Sequence, residues 1–258
     1  MSKVAIPPAW TNVKRIKNSH ILVIGYDSKG KEQRIYTPEW IAQRKKEKFQ
    51  KHSRLMKKYN TYDRKLNNIL KSEIPFNSKE KVMAFMCKLM EKLNIRIGNE
   101  CYLKENETYG LTTLMKSNFH FKKGIHYLEF VGKKGITHTK IIKDQKTIDY
   151  LKNLIKFNKK TNYLFSYVNH TGIISNIDSQ DLNAFIKSLL GDEFSAKDIR
   201  TFSANKIFNN YLKKNGYSPN LPETNKKKII TLAVKETAEQ LGNTPTVCRK
   251  HYLNMENL

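Results

Sequence analysis

Acidic residues are scarce in this chain: 23 Asp and Glu stand against 48 Lys and Arg among 258 residues, for a net charge of +25. That excess is far beyond what solubility needs, and a polyanion is the natural partner. Long apolar runs are missing as well. No stretch approaches the roughly 18 residues of a membrane-spanning helix, and no signal-peptide core opens the chain, so nucleic acid is favoured over an anionic membrane. Cysteine is sparse: Cys87, Cys101 and Cys248 lack C-x-x-C spacing and the histidines are scattered, which argues against a zinc site or a disulfide framework. The chain is expected to be intracellular and to hold neither metal nor other cofactor. No internal repeat or long low-complexity tract is present. The abundance of Lys, Asn and Ile reads as the coding bias of an AT-rich genome and carries no function.

What is present is enough apolar residue, 39% of the chain, for one main core and a smaller module. The stretch 20-HILVIGYDSKGKEQRIYTP-38 has two β-rich arms about a D-S-K-G turn and predicts a hairpin. Beyond Pro38, Trp40, Phe49, Leu55, Tyr59, Tyr62, Leu66 and Ile69 recur at helical intervals, as one long helix or two. From Asn77, the steps between Val82, Phe85, Met86, Leu89, Met90 and Leu93 predict a helix with one core-facing stripe. Two β-rich arms in 125-IHYLEFVGKKGITHTKIIK-143 flank Gly132-Lys133-Lys134-Gly135, a second hairpin that presents Lys133 at its tip. The remainder is expected to be helical, with Ser195 and Asp198 in a capping box and with Gly216 and Gly242 as helix ends. The fold class is therefore α+β: a small β-rich N-terminal module over 1–46, then a mainly α-helical domain over 47–258 carrying the lysine hairpin.

The tail, 242-GNTPTVCRKHYLN-254, has Thr244 and Pro245 at the N-cap and first position of a helix, with Asn243 at its mouth. Free N–H groups there favour an anion. Tyr252 lies about two turns on, beside Arg249 and Lys250. A phenolate near phosphate-binding groups is a competent nucleophile toward phosphorus. The same stretch also fits an amphipathic tyrosine at a helix end with basic neighbours that touch a DNA backbone.

Four segments decide between these readings. In order along the chain, 94-NIRIGNECYLKENETYGLTTL-114, 130-FVGKKG-135, 197-KDIRTFSAN-205 and 241-LGNTPTVCRKHY-252 resemble the catalytic motifs of type IB DNA topoisomerases, on the poxvirus-like and bacterial branch. The resemblance runs from about Ile6 onward. It implies catalytic roles for Arg96, Lys133 and Arg200 and makes Tyr252 the nucleophile. The family's usual histidine, nine residues before the tyrosine, is Asn243 here. Asparagine can donate a hydrogen bond to a phosphate oxygen but cannot carry a proton's charge.

The chemistry suits these residue types. Attack at phosphorus builds negative charge on the nonbridging oxygens, which the planar forks of Arg96 and Arg200 can bind bidentately. The leaving 5′-oxygen needs a proton, which the Lys133 ammonium can give. The bond energy is kept in a 3′-phosphotyrosyl link, so neither ATP nor metal is called for. The resemblance further implies double-stranded DNA as partner, a monomer with no membrane role, and DNA contacts from Gln33, Arg34, Tyr36, Tyr102, Thr113 and Arg249. If the origin is viral, it suggests the virion or a cytoplasmic site of viral DNA synthesis; if cellular, the chromosome. Relatives on this branch carry more β structure before the hairpin and a helix after the tyrosine, so a reduced N-terminal module and an incomplete chain are both open. A tyrosine recombinase is the nearest rival, but its usual His-x-x-Arg reads Lys197-Asp198-Ile199-Arg200 here. A non-catalytic DNA-binding protein of the same fold is the other.

Overall fold

The computed structural model describes residues 4–17 and 19–255. The chain divides into two compact units, Met1–Arg54 and Leu55–Leu258. In the first, strands β1 (Thr11–Arg15), β2 (Ile21–Tyr26) and β3 (Glu32–Tyr36) form an antiparallel sheet in that order. The β2–β3 hairpin is the one legible in the sequence. The Asp27 carboxylate closes its turn by accepting from the Lys29 and Lys31 amides, both at 3.0 Å. Strand β1 adds a third strand to the hairpin legible in the sequence. It is an exposed edge strand, so its sequence TNVKR shows no apolar alternation to read. A side chain on Gly25 would meet the Trp10 ring at 2.7 Å, and His20, Tyr36 and Trp40 stack on one another.

One continuous helix, α1 (Pro38–Lys71), resolves the choice between one and two; no Gly or Pro interrupts it after its first residue. The boundary between the units falls within it. In the second unit, its residues Leu55, Tyr62 and Leu66 join the core with α2 (Lys79–Leu93), which starts at the Ser78 cap and ends where Asn94 turns left-handed. A short helix, α3 (Glu100–Asn106), follows. Then β4 (Phe119–Lys122), β5 (Ile125–Gly132) and β6 (Ile136–Ile142) form an antiparallel sheet. The expected hairpin is β5–β6, and β4 adds an edge that the sequence reading left out.

Helix α4 (Gln145–Phe157) is capped by Asp144. The all-helical expectation for the rest is corrected by a small hairpin, β7 (Ser166–Val168) with β8 (Ile174–Asn176), whose three-residue strands are too short to show a period. Helices α5 (Ser179–Leu190), α6 (Ala196–Lys214), α7 (Glu223–Leu241) and α8 (Pro245–His251) complete the fold. The main core joins α1, α2, α4, α5 and the β4–β6 sheet. A smaller one joins α6, α7 and α8 through Phe208, Val234, Leu241, Cys248 and Leu253. Burying Leu253 contributes about 2 kcal/mol and pins the segment just beyond Tyr252.

Candidate active site

Three segments converge on one corner of the second unit: the stretch after α2, the first turns of α6 and the α7–α8 region. Arg96 is fixed by its backbone. Its carbonyl accepts from the Leu111 amide at 2.8 Å, and that of Ile97 accepts from Thr112 at 2.8 Å. The two runs approach so closely that a side chain on Gly110 would fall 2.4 Å from the Gly98 Cα, which is why glycine stands there. Thr113 belongs to this brace. It is fully buried, and its hydroxyl accepts from the Gly110 amide at 2.9 Å and donates to the Gly110 carbonyl at 3.2 Å. The Thr113 side chain, expected above to contact DNA, is buried and spent on the loop that carries Arg96.

Arg200 is 5% exposed, one turn into α6. The capping box orients that helix, with Asp198 accepting from the Ser195 amide at 2.9 Å and its hydroxyl at 2.7 Å. One terminal nitrogen of the guanidinium donates to the Asn94 carbonyl and the other to the Leu241 carbonyl. It thus binds the end of α2 to the end of α7. Burial, and then the Arg96 charge, push Arg200 down to about 10, still a cation at neutral pH. Its central carbon lies 5.7 Å from the centre of the Tyr252 ring.

Tyr252 is half-buried at the end of α8. Burial alone would raise its phenol, but the nearby Arg200 charge, with Arg96 and the Asn243 amide, outweighs it and holds the group below its ordinary value. Asn243 lies at the mouth of α8, where Thr244 caps the helix by accepting from the Val247 amide at 3.3 Å. Its side-chain carbonyl accepts from Arg96, which sets the orientation of the amide.

The structure therefore brings Arg96, Arg200, Asn243 and Tyr252 together. Lys133 stands at the exposed tip between β5 and β6, and no hydrogen bond or ion pair ties it to those four. Two buried donors of the cluster, Nε of Arg200 and Nδ2 of Asn243, have no hydrogen-bond partner. A pair of orphan donors beside a tyrosine of lowered pKa suits an anionic acceptor.

The other candidates lie around the chain. Tyr102 is 53% exposed on α3, and Arg249 is exposed on α8. In the first unit, Gln33 donates to Asp27 at 2.8 Å, Arg34 pairs with Glu32 at 2.7 Å, and Tyr36 stacks on Trp40. Sequence reasoning missed Asn205. From α6, its amide nitrogen donates to the Tyr252 carbonyl at 2.8 Å and its oxygen accepts from the Asn254 amide at 2.9 Å. It lies within the third motif, yet nothing in the sequence alone says that it faces the tail. Among the described residues, no helix is long and apolar enough to cross a membrane, and no three His, Cys, Asp or Glu side chains gather as a metal site.

Residues 33–258 match the family described as eukaryotic DNA topoisomerase I, catalytic core. A DNA topoisomerase 1B of Acanthamoeba polyphaga mimivirus is 34% identical over 268 residues, covering 98% of this chain and 76% of that protein. A DNA topoisomerase I of Monkeypox virus is 30% identical over 242 residues, covering 91% of this chain and 70% of that one. Among solved structures, XerH site-specific recombinase bound to palindromic difH substrate superposes with a TM-score of 0.46 at 16% identity, over 74% of this chain and 47% of that chain. The chain belongs to the type IB DNA topoisomerases. The relatives that match it over most of its length come from large DNA viruses, mimivirus and the poxviruses.

Proposed function

We propose that this chain relaxes supercoiled duplex DNA by breaking and rejoining one strand, with Tyr252 as nucleophile. The phenol gives its proton to water, and its oxygen attacks the scissile phosphorus in line with the 5′-oxygen. The P–O5′ bond breaks as the tyrosyl O–P bond forms, which leaves a 3′-phosphotyrosyl link and a 5′-hydroxyl. Arg96, Arg200 and the Asn243 amide donate to the nonbridging oxygens, where charge grows in the transition state. Lys133, at its exposed tip, protonates the leaving 5′-oxygen. Rejoining reverses each step: the 5′-hydroxyl attacks phosphorus, Lys133 takes back its proton, and Tyr252 leaves. Between the two steps the nicked duplex swivels. The bond count is conserved, so the reaction calls for no ATP, and Arg96, Arg200 and Lys133 supply the charge stabilisation and the proton that a metal ion could otherwise provide.

The observation that carries this reading is the pair of orphan donors on Arg200 and Asn243 beside a phenol that Arg200 already holds below its ordinary value. Tyr102 and Arg249 from the second unit, and Gln33, Arg34 and Tyr36 from the first, supply further contacts to duplex DNA. The enzyme acts as a monomer, on intracellular or viral DNA. The test is relaxation of supercoiled plasmid in EDTA without ATP. The wild-type chain relaxes it, and Tyr252→Phe binds DNA without relaxing it or forming a covalent adduct. Relaxation by the phenylalanine variant would overturn the assignment.

A further inference from the structure

His138 has no place in that mechanism, yet it touches both halves of the machinery. It lies on β6, cross-strand from Phe130, with the two rings 5.2 Å apart. It is 8% exposed. A β-carbon on Gly132, the residue before Lys133, would lie 2.5 Å from its Cδ2 and 2.6 Å from its Nε2. One on Gly242, the residue before Asn243, would lie 2.0 Å from its Cε1 and 2.6 Å from its Nδ1. The imidazole is thus clasped between two glycine backbones, one leading into the lysine tip and the other into the phosphate-facing turn. Each glycine has room for the ring only because it lacks a side chain.

The joint is close-packed. The cleft left among Asn94, Arg96, Gly132, His138 and Lys140 measures about 10 Å³, one water at most. Two residues along β6, on the same face, Lys140 donates to the Gln240 carbonyl at 2.7 Å and fastens the strand to the end of α7. Burial first, then Lys140, Arg96 and Arg200, push His138 down to about 4, so at neutral pH the ring is an uncharged spacer among cations.

From this geometry we infer that His138 is a positioning residue: its ring sets the base of the β5–β6 tip against the Gly242–Asn243 turn and so places Lys133 over the leaving 5′-oxygen. The inference rests on Lys133 being the proton donor. The experiment is single-turnover cleavage on two duplexes, one with the ordinary 5′-oxygen and one with a 5′-thiol leaving group, which needs little protonation. On the oxygen substrate His138→Ala is expected to slow cleavage about 100-fold, the scale of a displacement near 1 Å. On the thiol substrate it is expected to recover, in parallel with Lys133→Ala.

Gly132→Ala, at a backbone φ of −99° that alanine adopts freely, pushes the tip while leaving the ring in place, and should show the same rescue. It also serves if His138→Ala loses its fold. The double variant should be no slower than His138→Ala alone, because removing the ring removes the clash. Failure of Lys133→Ala to recover on thiol would sink the proton-donor assignment. Recovery of Lys133→Ala without recovery of folded His138→Ala, or of Gly132→Ala, would sink the positioning role. So would wild-type cleavage by folded His138→Ala.

Discussion

At position 243 the proposed reaction asks of an amide what the resemblance leads one to expect of an imidazole. The Asn243 carbonyl is engaged by Arg96, so its Nδ2 hydrogens are the part left to donate, and Nδ2 has no partner of its own. A donor to a charged oxygen contributes about 1.5 to 3 kcal/mol, or roughly 10- to 100-fold in rate if the contact forms in the transition state. Asn243→Ala should therefore slow cleavage by that factor with little change in DNA affinity. Asn243→His should retain most of the rate, because an imidazole also presents one donor. Single-turnover cleavage at saturating DNA measures both, and an alanine variant as fast as wild type would remove Asn243 from the reaction. Position 200 tolerates less. A lysine there could not hold the Asn94 and Leu241 carbonyls while also facing Tyr252, since it lacks the rigid fork that Arg200 uses.

Helix α6 serves the site twice, with Arg200 beside the tyrosine ring and Asn205 beneath its backbone. Replacing Asn205 by alanine strands the Tyr252 carbonyl and the Asn254 amide, at a cost of about 1 to 3 kcal/mol confined to the tail. Cys248 and Leu253 remain buried, so the rest of α8 should stay docked. Asn205→Ala is expected to cut the cleavage rate at least tenfold, raise hydrogen exchange in residues 252–255 and leave the core amides protected. Unchanged exchange and rate would mean that Leu253 alone places Tyr252. At this scale much was legible beforehand. The β5–β6 hairpin, the Ser195–Asp198 box and the Thr244–Pro245 start each follow a local rule, and each is present, whereas α2 is buried on every face from Lys81 to Cys87 rather than along one stripe. What escaped was set by tertiary contact. Thr113 is an ordinary polar residue in sequence, and only its burial against Gly110 reveals a brace. His138 alternates with exposed neighbours along β6, which shows that it faces inward but not that it meets Gly132 and Gly242.

For the molecule as a whole, the net charge of +25 and the partly buried cluster proposed as the active site should respond to salt in different ways. Exposed lysines meet phosphates by releasing condensed counterions. If about 6 to 10 phosphates are neutralised, affinity should fall about 10³- to 10⁵-fold between 50 and 200 mM salt. Arg200, 5% exposed and gripped by two carbonyls, is beyond the reach of that atmosphere, since salt screens exposed charges over about 8 Å and buried pairs much less. Equilibrium binding to a short duplex should therefore weaken with a log–log slope steeper than about −5, while the cleavage rate at saturating DNA changes by less than about threefold. Filter binding and single-turnover cleavage over the same salt series separate the two. A slope shallower than about −2 would show that few of the lysines reach the duplex. A rate that falls in step with affinity would show that the chemistry depends on the exposed cations, with Lys133 at its tip the first to examine.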